Sequence, residues 1–78
     1  MLGRLEEAAD AYSKALEIKP EYFDALYNYG LVNSQTGNFD IAISAYQNLL
    51  DLPVEASKFN KLKQAKNYLH LWKTKQNK

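Results

Sequence analysis

A spacing of 34 residues constrains this chain more than any other feature of its sequence. Gly37, Phe39, Ala42, Tyr46, Leu50 and Leu52, stepped back by 34 positions, fall on Gly3, Leu5, Ala8, Tyr12, Leu16 and Ile18, each identical or similarly apolar. Self-similarity at this period is the mark of small helical units that bury their apolar faces only on their neighbours. Within the first copy Leu5, Ala8, Ala9, Tyr12, Ala15 and Leu16 recur at three- and four-residue steps. That spacing puts them on one face of a helix.

The stretch from Pro20 to Pro53 holds the fuller copy. Leu26, Tyr29 and Gly30, followed by Ala42 and Tyr46, occupy the spacing W-x2-L-G-x2-Y, then A-x3-F, and Pro20 closes the preceding copy. In these residues the chain resembles the tetratricopeptide repeat (TPR) family, whose unit is a helix-turn-helix. The resemblance covers about the first two thirds of the chain. It implies an all-α fold of TPR-like helix-turn-helix repeats, an α-solenoid fragment of about four helices with a C-terminal capping helix. Residues 1–20 are then a partial repeat with its second helix only, 21–53 a complete repeat, and 54–78 a C-terminal capping helix with a lysine-rich tail. Three positions depart from the family pattern. Asn33 stands where an aromatic is usual, Leu49 where Ala is usual, and Pro53 follows Tyr46 one residue sooner than Pro20 follows Tyr12.

Helices are predicted over 4–18, 22–36, 39–52 and 54–74. Met1 and Gly3 are expected at a turn before the first. Lys19-Pro20 ends that helix, because the residue before proline is pushed out of the α region. Gly30 costs on the order of 1 kcal/mol of helix propensity; it is expected to allow close approach of the partner helix, with Ala42 opposite. Gly37-Asn38 makes the next turn, with Gly37 suited to a left-handed cap. In the last helix Phe59, Leu62, Ala65, Leu69 and Trp72 share one side, with Trp72 read as a packing anchor, and 74–78 is expected to fray. The first helix lacks the helix that should precede it. The expectation is a fragment of a longer array; a chain that covers the exposed face by dimerising or swapping is the other reading.

Composition excludes several classes of function. Cysteine is absent, so disulfides, thiolate metal sites and a cysteine nucleophile are excluded. No apolar run approaches the ~20 residues of a membrane span, and the start is unlike a targeting segment; an intracellular, cytoplasmic protein is the expectation. His70 is the sole histidine, flanked by Leu69 and Leu71, and the three glycines are scattered rather than gathered in a phosphate loop. Glu6, Glu7 and Asp10 read as solvated carboxylates. No catalytic, cofactor-binding or metal-binding residue is nominated, so the chain is expected to be neither an enzyme nor a cofactor protein.

What the resemblance implies instead is a binding groove. In this family the first helices line a concave surface, here Asp24, Tyr27, Asn28, Leu31, Ser34 and Gln35, joined by Ser57, Asn60, Lys61 and Gln64. Tyr27 is the expected amphipathic anchor and Asn28 the group that hydrogen-bonds a peptide backbone. The expected partner is another protein or peptide, with self-association also open. A clamp for a C-terminal carboxylate, known in some family members, is not expected, because Ser57 stands where a Lys is needed. Charge divides unevenly: residues 1–53 carry three basic and eight acidic side chains, and 54–78 carry seven lysines against Glu55, giving about −5 and +6. Such asymmetry can mark an interaction tail. The alternative function is therefore nucleic-acid or anionic-surface binding through the lysine-rich helix, weighed below the groove because those lysines spread around the helix.

Overall fold

In the computed structural model, which describes residues 2–76, each apolar stripe lies on a helix: α1 (Leu2–Ile18), α2 (Phe23–Gln35), α3 (Phe39–Leu50) and α4 (Phe59–Gln76). A single 3-10 turn, Ala56–Lys58, leads into α4. No strand occurs among the described residues. The protein is thus all-α, with α1 packed on α2, α2 on α3 and α3 on α4. The body measures 33 × 30 × 17 Å. Its thin dimension is less than two helix diameters of ~10–12 Å, so the helices at either end keep one side in water.

The turns follow from local chemistry. Pro20 stops α1 at Ile18, and the backbone N–H of Tyr22 donates to Lys19 O at 3.1 Å to redirect the chain. At the end of α2, Gly37 takes φ +85°, a left-handed value that only glycine adopts at little cost. The N–H of Asn38 then reaches Asn33 O at 2.8 Å and the N–H of Gly37 reaches Ser34 O at 3.2 Å, the paired bonds of a Schellman cap. Asn33 explains its departure from the family pattern here. It is 3% exposed, and its amide donates to Tyr29 O at 2.8 Å while its side-chain oxygen accepts from Asn38 at 3.5 Å. A buried amide so placed braces the turn where an aromatic ring would fill space.

The core centres on α3. Ala42, Tyr46 and Leu49 are each 0% exposed, and they meet Leu26 and Tyr27 of α2 and Ala65 and Trp72 of α4 in one cluster. A run of rings passes through it: Tyr27 lies 5.4 Å from Tyr46, Tyr46 4.6 Å from Trp72, and Trp72 5.6 Å from Tyr68. Such pairs add roughly 0.5–1.5 kcal/mol each beyond the area they bury. The Tyr46 hydroxyl is buried without a hydrogen-bond partner. Burial, with the Tyr27 and Tyr68 phenols nearby, pushes its pKa well above the ordinary 10.

A Cβ at Gly30 would collide with Cε1 and Cδ1 of Tyr46, one turn beyond Ala42 along α3. Glycine is therefore required by a ring rather than by a neighbouring backbone. The last helix begins at Phe59 and not at Val54, because the chain after Pro53 first makes the Lys58 N–H to Glu55 O turn at 2.9 Å. α3 ends at Leu50 rather than Leu52, three residues before the proline. Gly3 lies inside α1 and not at a turn. At the C-terminus α4 continues to Gln76, with the Thr74 hydroxyl donating to His70 O at 3.0 Å; Met1, Asn77 and Lys78 lie outside the described residues.

Two outcomes test this core. Gly30→Ala gains helix propensity yet is expected to lose stability, by about 1–3 kcal/mol, since the Tyr46 ring is held on its other sides by Tyr27 and Trp72 and cannot retreat; urea unfolding gives the sign. Tyr46→Phe removes a buried hydroxyl that lacks a partner and is expected to be neutral or stabilising by about 1 kcal/mol. The same substitution tests the phenol's pKa. A folded-state value above the unfolded one keeps its contribution intact below about pH 10 and loses it above, by up to ~1.4 kcal/mol per pH unit. The wild type should therefore weaken more steeply than Tyr46→Phe between pH 10 and 11, as melting curves in that range would show.

Candidate protein-interaction surface

Of the residues expected to line a groove, Asp24, Tyr27, Asn28, Leu31, Ser34 and Gln35 sit on α2, and Asn60, Lys61 and Gln64 on α4. Helical spacing brings Phe23, Tyr27, Leu31 and Ser34 to one side of α2, and Lys61 and Gln64 to the facing side of α4. Contact between the two helices is direct. Asp24 Oδ1 lies 3.3 Å from Lys58 Nζ and 4.0 Å from Lys61 Nζ. The Tyr27 hydroxyl donates to Gln64 Oε1 at 3.0 Å.

Tyr27 is thereby corrected as an anchor. It is 8% exposed, its ring packed between Phe23 at 6.4 Å and Tyr46 at 5.4 Å. Burial, then the Tyr68 phenol, raises its pKa above the ordinary value. A side chain spent on joining α2 to α4 cannot also be the exposed contact for a ligand. The other candidates divide. Asn28 and Leu31 are half-buried at the surface, and Gln35, Asn60 and Lys61 are exposed. Ser34 is turned inward, its hydroxyl donating to Leu31 O at 2.7 Å, and Ser57 lies in the 3-10 turn before α4.

Sequence reasoning missed the cationic rim. Lys58 lies 5.2 Å above the Phe23 ring and Lys61 5.4 Å above the Tyr27 ring. The signal was available as Phe23 and Tyr27 four residues apart, and Lys58 and Lys61 three apart. Two ammonium groups share one carboxylate here, so this edge is net positive. Beyond Gln64 a shallow cleft of about 280 Å³ opens between Gln64, Asn67, Tyr68 and Leu71. Tyr68 and Leu71 are 37% and 47% exposed. The lysines of the C-terminal segment do not form one stripe: Lys58 of the 3-10 turn and Lys61 of α4 pair with Asp24, and Lys75 lies 5.9 Å over Phe39.

A larger depression, about 340 Å³, lies among Leu16, Leu26, Tyr29, Ile41 and Ala45. No cluster of three or more histidine, aspartate or glutamate side chains among the described residues is arranged to hold a metal ion. No described helix is long and apolar enough to cross a membrane.

Comparison with known proteins agrees with this architecture. The TPR repeat family matches residues 2–37, and a second match described as tetratricopeptide repeat covers residues 23–53. Two curated relatives are the probable UDP-N-acetylglucosamine--peptide N-acetylglucosaminyltransferase SPINDLY of Oryza sativa subsp. japonica, 38% identical over 47 residues, and that of Hordeum vulgare, 36% identical over 47 residues. Each similarity takes in 60% of this chain but only 5% of the relative. The chain thus spans a small part of those proteins. No solved structure matches. Repeats of this kind generally mediate protein-protein interaction. With its 34-residue period, its helix pairs and these matches over residues 2–53, the chain belongs to the tetratricopeptide repeat family.

Proposed function

We propose that this chain is a non-catalytic adaptor that holds an extended peptide or a partner helix across the edges of α2 and α4. The observation that supports it is the bracing of those two helices by the Tyr27–Gln64 hydrogen bond and the shared Asp24 carboxylate. Bracing holds Asn28 and Leu31 on one helix at a fixed distance from Asn60, Lys61 and Gln64 on the other, so little ordering cost remains when a ligand arrives. Asn28 supplies amide groups for a peptide backbone. Lys61 supplies positive charge at the rim, and the cleft beside Tyr68 and Leu71 accepts an apolar side chain. The partner that fits is a segment with an acidic residue a short distance from an apolar one. Recognition by a few anchors among neutral contacts is usual for such surfaces.

The test is selection of peptides from a displayed library on the immobilised chain at about 0.15 M salt, followed by anisotropy titration of a selected peptide. Lys61→Gln and Leu71→Ala are expected to weaken binding by about tenfold each, equivalent to ~1.4 kcal/mol, while Gln47→Ala on exposed α3 surface leaves it unchanged. Equal affinity for all three variants would overturn the reading. So would a selection that returns no peptide, or an affinity for oligonucleotides that collapses with salt and ignores Leu71→Ala.

A further inference from the structure

The docking of α4 sorts the lysines that the sequence spreads around it. Lys58 and Lys61 are held at Asp24, over the Phe23 and Tyr27 rings, and Lys75 lies over Phe39. Lys63, Lys66 and Lys73 are left, and none of them makes an ion pair with a described residue. These three are not scattered. With Phe59 and His70 they stand at positions 59, 63, 66, 70 and 73, a spacing that gathers all five side chains within about 80° of the helix circumference at 3.6 residues per turn. All five are exposed, Phe59 to 58%. No carboxylate occurs in residues 56–78, so nothing on α4 neutralises the stripe.

The matching positions of α2 have the opposite character. A step of 33 residues relates α4 to α2 and pairs Phe59, Lys63 and Lys66 with Leu26, Gly30 and Asn33, all three of them buried. A helix packed there as α3 packs on α2 would bury two ammonium groups where α2 offers a glycine and an amide, a cost that no carboxylate on α4 offsets. The residues themselves therefore suit an anionic surface and not an apolar helix of the repeat.

We propose that this stripe lays α4 on a membrane surface that carries anionic phospholipids, with Lys63, Lys66 and Lys73 among the headgroups and Phe59 at the boundary with the acyl chains. Shape and residue type select this occupant among anions. The row runs ~15 Å from Lys63 to Lys73 along the flank of a single helix. Such a ridge is convex and can meet a plane, whereas single-stranded nucleic acid is held in grooves lined with rings for successive bases. Lysine is a compact charge on a flexible stem, which suits headgroups that move laterally; arginine, whose planar fork fits a fixed phosphate geometry, is absent from α4. An exposed phenyl ring beside a cationic row is buried when it enters the headgroup boundary, as the rings of surface-lying helices are. The helix would lie on the membrane without crossing it, as its composition requires. Gln64, Tyr68 and Leu71 project from the other flank, so a membrane and a peptide can be held at once.

Co-sedimentation with vesicles tests the proposal, using phosphatidylcholine alone and an equal mixture of phosphatidylcholine and phosphatidylserine at about 0.15 M salt. The wild type is expected to bind the mixture, to ignore phosphatidylcholine alone and to be released as salt rises. A lysine near such a surface is worth about fivefold in affinity. Lys66→Gln is expected to weaken binding by that factor, and the triple variant Lys63→Gln, Lys66→Gln, Lys73→Gln by about a hundredfold. Phe59→Ser is expected to weaken it about fivefold. Lys14→Gln, the same change of net charge at an exposed site on α1, leaves it unchanged. Far-UV circular dichroism checks that each variant stays helical, and the exposed lysine variants decide the matter should Phe59→Ser unfold. Equal binding to both kinds of vesicle, no binding to the mixture at about 10 mM lipid, or affinity that survives the triple substitution would each overturn the proposal. So would a loss with Lys14→Gln as large as with Lys66→Gln, a folded Phe59→Ser that binds as the wild type does, or an oligonucleotide or polyglutamate held more tightly than the vesicles at equal concentration of negative charge. The peptide titration with Lys61→Gln and Leu71→Ala reads the other flank, and its result is separate.

Discussion

The close contact of the Tyr46 ring with Gly30 is the constraint from which the rest of the arrangement follows. Removing a Cβ at one position lets an aromatic ring fill the space between α2 and α3, and that ring is then wide enough to touch Tyr27 on one side and Trp72 on the other. One side chain therefore sets the separation of α2 from α3 and provides the seat for α4. The propensity cost of glycine in a helix is offset by burial of a ring that would otherwise have no room. The cost left over is the Tyr46 hydroxyl, buried without a partner.

From that seat the polar features of the surface are determined. α4 docks with Ala65 and Trp72 inward, which brings Lys58, Lys61 and Gln64 to the edge of α2. Asp24 and Tyr27, residues that the sequence offers as ligand contacts, are then engaged by the neighbouring helix. A surface that braces itself in this way is more rigid but has fewer free groups. What stays available lies further along: Asn28 and Leu31 on α2, and the Tyr68 and Leu71 side of α4.

A slab 17 Å thick cannot enclose its end helices. Each repeat buries its apolar face on its neighbours, so a short run of repeats always leaves one open face at each end.

Much of the fold was legible in the sequence because the determinants are local or periodic. Apolar spacing, the prolines at 20 and 53, and the left-handed Gly37 locate four helices to within a few residues, and the 34-residue echo names the family. The error at the start of the last helix was also local, an extra turn after Pro53 that no periodic signal marks. The site was less legible. Helical spacing can say that Tyr27, Leu31 and Lys61 lie on particular sides of their helices, but not which of them a neighbouring helix will cover. That Tyr27 is buried and that a Cβ at Gly30 would meet the Tyr46 ring were decided by the docking of α4 and the packing of α2 against α3. The sequence by itself determined the helices and their period, since those depend on neighbours in the chain; tertiary structure alone decided which polar groups stay free, since that depends on contacts between residues 30 or more positions apart, such as Tyr27 with Gln64.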